Sequence, residues 1–204
     1  MTTKEQVDEI VKPLLAIVEC FNPKRDYLYL STPITTGKLF YDTLRKYNIK
    51  DKKDFPKDVY YEEVILANIF DAQKVSNNLK KIGLEKIVNP AKFDEMKNVL
   101  KINPNWHQEV YMKLWEGVIN RFVKQIIFND GWEYSSGCVE EWTISQNKNR
   151  NCGIEDSIDL RGNIITQKDF ENKVSNAIKI LEEEGFNTDK LKYSLENSKK
   201  IYYT

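Results

Sequence analysis

The chain has 204 residues, 31 Lys+Arg against 31 Asp+Glu, a single histidine (His107) and three cysteines (Cys20, Cys138, Cys152). Zero formal net charge argues against a general nucleic-acid binder, whose affinity rests on cations neutralising phosphates. One histidine and no CxxC pair exclude a multi-His or paired-Cys metal centre.

Apolar positions at Val7, Ile10, Val11, Leu14, Leu15 and Val18 have helical spacing, within an N-terminal helical extension over 1–25. Pro13 lies inside that pattern and predicts a kink or restart. Residues 26–31 read as a short strand, and T-P-I-T-T-G at 32–37 as a loop. A charged insertion spans 38–60; its stretch 44–58 reads as either a solvated segment or a substrate lid. A long helix is predicted over about 62–82, with Ile65, Leu66, Ile69, Phe70 and Leu79 on its apolar side and Gly83 at its C-terminal cap.

Residues 86–88 form the next strand, entering Asn89-Pro90-Ala91. A helix marked by Trp106, Val110, Tyr111, Leu114, Val118, Ile119 and Phe122 follows, then a strand at 125–128. The loop 129–137 leads into a helix from Cys138. Residues 154–165 suggest strand, turn and strand around Arg161-Gly162-Asn163, and two C-terminal helices occupy 166–204. This alternation predicts one α/β domain over 1–204, an open, mostly parallel Rossmann-like or flavodoxin-like sheet with helices on both faces. Ligands in such sheets bind beyond the carboxyl ends of the strands, which singles out loops 32–37, 89–91 and 129–137.

Widely spaced cysteines suit reduced thiols, and the start lacks a basic region followed by an apolar stretch. The longest strongly apolar stretch, 64–70, is far below the ~20 residues that span a bilayer. The expectation is therefore a cytoplasmic protein without membrane contact.

The densest chemistry lies in 128–142, F-N-D-G-W-E-Y-S-S-G-C-V-E-E-W. Here a strand ends, a loop turns, and a helix opens with the adjacent glutamates Glu140 and Glu141. Free N–H groups at a helix start favour negative charge, so a glutamate there is expected to have a low pKa. An ionised carboxylate can attack an electrophilic sugar carbon and form a glycosyl ester. It can equally offset the helix dipole or complete a capping box. Asp130 either binds a sugar hydroxyl or closes the turn. Trp132 and Tyr134 either stack on a base or pack on the neighbouring helix. Cys138, at a helix start, is a candidate for a lowered pKa. His107 is either an acid/base group or structural.

Three motifs occur in order: Tyr29-Leu30-Ser31-Thr32-Pro33-Ile34 with Gly37 shortly after, then Asn89-Pro90-Ala91, then Gly131-Trp132-Glu133-Tyr134-Ser135-Ser136-Gly137-Cys138-Val139-Glu140-Glu141. Together they resemble the nucleoside 2-deoxyribosyltransferase superfamily, which includes deoxynucleoside monophosphate N-glycosidases. The resemblance implies Glu141, four residues after Gly137, as nucleophile and Tyr29 as the residue that orients it. It implies Glu116 as proton donor to the leaving base, where relatives mostly carry Asp; burial or a neighbouring charge would raise its pKa. Ser135 stands where the monophosphate hydrolases have a serine on the 5′-phosphate and the transferases an acid. Ser31, Thr32, Pro33, Ile34, Gly37, Asn89, Asp130, Trp132, Ser135 and Gly137 make up the implied substrate-binding set. Thr32 departs from the glycine usual at its position, and 143–204 have no counterpart.

The expected activity is cleavage or transfer at the N-glycosidic bond of a (deoxy)ribonucleotide or nucleoside, with hydrolysis favoured over transfer. This reaction calls for neither a metal nor an organic cofactor. The alternatives are a non-catalytic nucleotide-binding sensor or interaction protein on the same fold, or an NAD glycohydrolase. The expected partner is a small nucleotide or nucleoside, and the resemblance implies a homo-oligomer.

Overall fold

Leu, Ile, Val and aromatic residues dominate β1 (Tyr27–Ser31), β2 (Ile87–Val88) and β3 (Val123–Phe128), while β4 is Ser157–Asp159. The computed structural model describes residues 4–21, 26–93, 108–146 and 156–202. All strand pairs are parallel and the order is β2-β1-β3-β4. Helices cover both faces of such a sheet, so its central strands are apolar throughout. Tyr29, Leu30, Ile126, Ile127 and Phe128 are accordingly almost fully buried. From β1 the chain goes outward to β2 and then returns to the opposite side of β1 as β3. The strand order therefore reverses between β1 and β3, where α/β sheets place their ligands.

Among the described residues the numbered helices are α1 (Lys4–Phe21), α2 (Lys38–Lys46), α3 (Lys57–Tyr60), α4 (Ala67–Lys81), α5 (Gln108–Phe122), α6 (Ser136–Ser145), α7 (Gln167–Glu183) and α8 (Asp189–Tyr202), and residues 90–93 are also helical. A π-helical stretch, Tyr61–Leu66, joins α3 to α4 without a break. The helix therefore starts before the expected residue 62. The stretch widens the turn and shifts the phase of α4. Asn68, Ile69, Ala72 and Ser76 face inward, whereas Phe70, expected on the apolar side, is 64% exposed. Gly83 ends the helix as expected, at φ +93°, with its N–H on Lys80 O and that of Leu84 on Leu79 O.

Three segments correct the sequence reading. No restart occurs in α1, which runs through Pro13 as one helix with the proline on its exposed side. Its Val7, Val11 and Leu15, one helical turn apart, join the main core, and Leu15 packs where Gly117 of α5 has no side chain. The N-terminal segment is thus part of the domain core and not an appendage. The charged insertion buries Phe40, Tyr41, Leu44 and Phe55, so only part of it is solvated. Finally, the second arm of the expected hairpin near 160 is one antiparallel bridge, Ile158 to Ile164, about Gly162.

The C-terminal helices are equally integral. Thr166 and Asp169 form a reciprocal capping box at the start of α7. Phe170 of α7 is stacked between Trp142 at 3.7 Å and Trp132 at 5.7 Å, with both ring pairs nearly parallel. Arg45 of α2 pairs with Glu184, which ties the insertion to this layer. Among the described residues, no helix is long and apolar enough to cross a membrane.

Candidate functional site

Alternate residues of a strand share one face, so Tyr29 and Ser31 at the end of β1 point the same way. Across the strand-order reversal, α6 lowers Glu141 onto both. Tyr29 OH donates to Glu141 Oε1 at 2.6 Å, and Ser31 Oγ donates to Oε2 at 2.6 Å. Each carboxylate oxygen is thereby fixed by one hydroxyl. Trp115 of α5 meets the Tyr29 ring edge-on, with centroids 6.2 Å apart, and braces the phenol.

Glu141 is 7% exposed, and burial pushes its pKa up to about 7 against the lowering effect of the Ser31 and Tyr29 hydrogen bonds. Glu140 adds a smaller upward push. The expected low pKa is overturned for a positional reason. Helix α6 starts at Ser136, so Glu141 lies a turn past the free N–H groups and gains little from them. Removing the Tyr29 hydroxyl should raise the Glu141 pKa further. A hydrogen bond to a charged group contributes about 1.5–3 kcal/mol, so Tyr29→Phe should move it up by about one to two pH units. Carbon-13 titration of the glutamate carboxyl would measure this, and an unchanged midpoint would contradict the role given to Tyr29.

The adjoining loops are cross-braced. Ser135 caps α6, its Oγ accepting from Cys138 N–H and, at 3.1 Å, from the Thr36 hydroxyl. Tyr60 OH donates to Thr35 O at 2.7 Å, and Asn68 Nδ2 donates to Ile34 O at 3.0 Å. Gly37 has φ +93°, and a side chain there would collide with the Pro33 ring. Thr32 accepts from Asn129 Nδ2 at 3.2 Å, and the same amide donates to Asp71 Oδ2 at 2.7 Å. The Asn129 amide therefore links the ends of β1 and β3 to α4.

Glu141 opens into a cleft of about 400 Å³. Thr32, Ile34, Ser135 and Gly137 line it, as does Cys138 at the start of α6, and Tyr29 and Ser31 lie buried behind the carboxylate. Tyr111, Met112 and Trp115 of α5 form another wall, with Lys52 and Lys190 at the side. Sequence reasoning missed Trp115 and Lys190. The aromatic spacing along α5 was the available signal for the first; nothing local marked the second.

Other expected residues lie elsewhere. Glu116 is outside the cleft: it pairs with Lys113 at 3.1 Å and opens on a separate depression beside Glu140 and Ser194. The expected proton donor is thus not brought to Glu141. One residue along a helix turns about 100°, so the inward place beside Tyr29 goes to Trp115. Asn89 is buried and structural, donating to Ala72 O and accepting from Ala91 N–H, and only Pro90 of that loop reaches the cleft. Asp130 is exposed away from the cleft, with its N–H on Asn129 Oδ1, so it belongs to the turn. Trp132 is buried in the stack on Phe170 and is not available to a base. Pro33 and Gly37 shape their loop without lining the cleft. Burial and the neighbouring Glu141 push the Cys138 thiol up, which removes it as a thiolate candidate. His107, Cys152 and the Cys20 side chain lie outside the described residues.

Among the described residues no three His, Cys, Asp or Glu side chains are grouped to hold a metal ion. The fold and the site together define an open parallel α/β protein with a buried, doubly hydrogen-bonded carboxylate at its strand-order reversal. Comparison with protein-family models, with curated proteins and with solved structures finds no match.

Proposed function

We propose that this protein hydrolyses the N-glycosidic bond of a nucleotide, with Glu141 as nucleophile. The observation that carries the reading is the carboxylate itself, buried at the cleft floor and aligned by the Tyr29 and Ser31 hydroxyls. Two donors fix its orientation and hold a fraction ionised despite burial. A Glu141 oxygen bonds to C1′ as the C1′–N bond breaks and its electron pair leaves with the base. Water then attacks the glycosyl ester at C1′, its hydroxyl going to C1′ and its proton to the departed base, which frees the sugar and restores the carboxylate. The Ser135 position implied by the resemblance and the two lysines at the cleft favour a phosphorylated substrate. A homo-oligomer remains part of this proposal on the resemblance alone.

Incubation with a panel of nucleosides, monophosphates and NAD, followed by chromatography of released base, tests the reading. Wild type should release base from at least one phosphorylated compound, and Glu141→Ala from none. Equal release by both proteins would refute the assignment. Thermal stabilisation by a nucleotide without any release would identify a binding module instead. Added acceptor base separates transfer from hydrolysis. Glu116→Gln should keep the rate within about twofold, since surface substitutions away from a site have small effects. A tenfold fall would return Glu116 to the chemistry.

A further inference from the structure

The Glu141 cleft adjoins a further, larger chamber. The second, about 500 Å³, shares Thr36, Lys52, Ser136 and Lys190 with it, so these four residues form the boundary between them. We infer that the substrate is a dinucleotide, two nucleosides joined by a diphosphate, with the diphosphate at this boundary and the second nucleoside in the far chamber. The inference rests on the glycosidase reading above and specifies its substrate class.

Each chamber falls in the size range of a small-ligand site by itself. A mononucleotide would occupy only the first. The second is walled by aromatic residues, of which Phe40, Tyr41 and Phe186 are buried and packed on one another, while the half-buried Tyr134 is the ring placed to meet a base. Lys50 and Lys53 add positive charge to it. At the boundary, two lysines arrive from segments far apart in the chain, Lys52 from the charged insertion and Lys190 from α8. Neither makes an ion pair among the described residues. Lys52 Nζ instead donates to Tyr60 OH at 2.9 Å and lies 4.6 Å from the Tyr60 ring centroid, which holds the cation in place. Two cations match the two negative charges of a diphosphate. Asp51, the carboxylate in the far chamber, is occupied in capping the turn that carries Lys52, accepting from Lys53 N–H at 2.9 Å.

The chemistry at Glu141 agrees with a dinucleotide that carries a pyridinium base. Its glycosidic nitrogen is already cationic. When the Glu141 oxygen bonds to C1′, the C1′–N electron pair neutralises that nitrogen and the base leaves without taking up a proton. Water then opens the ester, its hydroxyl going to C1′ and its proton to solvent. The step needs no acid beside the carboxylate, in keeping with the place of Glu116 outside the cleft.

Binding to the Glu141→Gln protein, measured by titration calorimetry with NAD, nicotinamide mononucleotide and AMP as probes, tests the inference apart from turnover. NAD should bind at least tenfold tighter than either half. Lys190→Ala and Lys52→Ala, introduced singly, should each reduce the NAD affinity more than that of either half. Equal affinity for NAD and a half, or no NAD binding, overturns the dinucleotide assignment. Base release by wild type from mononucleotides alone also overturns it while leaving the glycosidase reading intact. Tight NAD binding with no release of any base does the reverse.

Discussion

Glu141→Gln should abolish base release and, above neutral pH, make the protein more stable. On the proposed mechanism this substitution removes the covalent route, and a fall of about 10³-fold or more is the scale such losses reach. Stability moves the other way because the carboxylate is held where ionisation is unfavourable. Its folded pKa is about 7 against an ordinary 4.5. Below pH 4.5 both folded and unfolded states carry the proton, and burial costs little. Between 4.5 and 7 the unfolded chain loses the proton more readily, so stability falls as pH rises. Above 7 the whole difference applies, about 3 kcal/mol at 1.36 kcal/mol per pH unit. Glutamine does not titrate. The Tm gap between variant and wild type should therefore widen from pH 4.5 to pH 7 and level off beyond. Thermal unfolding at pH 4.5, 6 and 8 measures it, and a gap independent of pH would show that Glu141 is not buried as an acid. The rate has the opposite trend, since attack needs the ionised form. In wild type, kcat/KM should climb with pH and flatten above about 7. Activity and stability thus change in opposite senses across the same pH interval.

Phe170→Ala is the second large effect. The ring is fully buried between two indoles, and removing it leaves a cavity that neither Trp132 nor Trp142 can fill without leaving the stack. A loss of about 3–5 kcal/mol is expected for such a truncation. The stack joins α7 to α6 and to the turn after β3. Urea unfolding followed by tryptophan fluorescence and by far-ultraviolet circular dichroism should show one coincident transition at a lower midpoint. Two separated transitions would mean that the C-terminal helices fold as a unit of their own.

The sheet was legible because its strands are buried on both faces and carry short apolar runs between turn residues. The end of the long helix was legible for a local reason, a glycine placed where φ must be positive. The residues alone left Glu140 and Glu141 open, and only the family resemblance pointed to Glu141, whose carboxylate lies against Tyr29 and Ser31. The features that could not be read depended on phase or on distant packing. Trp115 and Glu116 are sequence neighbours, and only the rotation of α5 decides which faces Tyr29. The same holds for Phe70 after the π-helical stretch. Trp132 comes after a glycine in a loop, as a base-stacking residue could, yet a phenylalanine 38 residues later buries it. The Glu141 pKa belongs to its surroundings, which no local pattern encodes. Lys190 was invisible because its segment had no motif, and only the docking of α8 beside α6 brings it to the cleft.

Tyr29 and Glu141 are separated by 112 positions in the chain. A growing chain therefore carries the two hydroxyls long before the carboxylate exists, and the carboxylate acquires its orientation only when β3 has paired with β1. Fragments cut anywhere between them keep one half of the reacting arrangement and none of its geometry. The arrangement of carboxylate and hydroxyls is then a property of the completed fold, and partly made or partly degraded copies lack it.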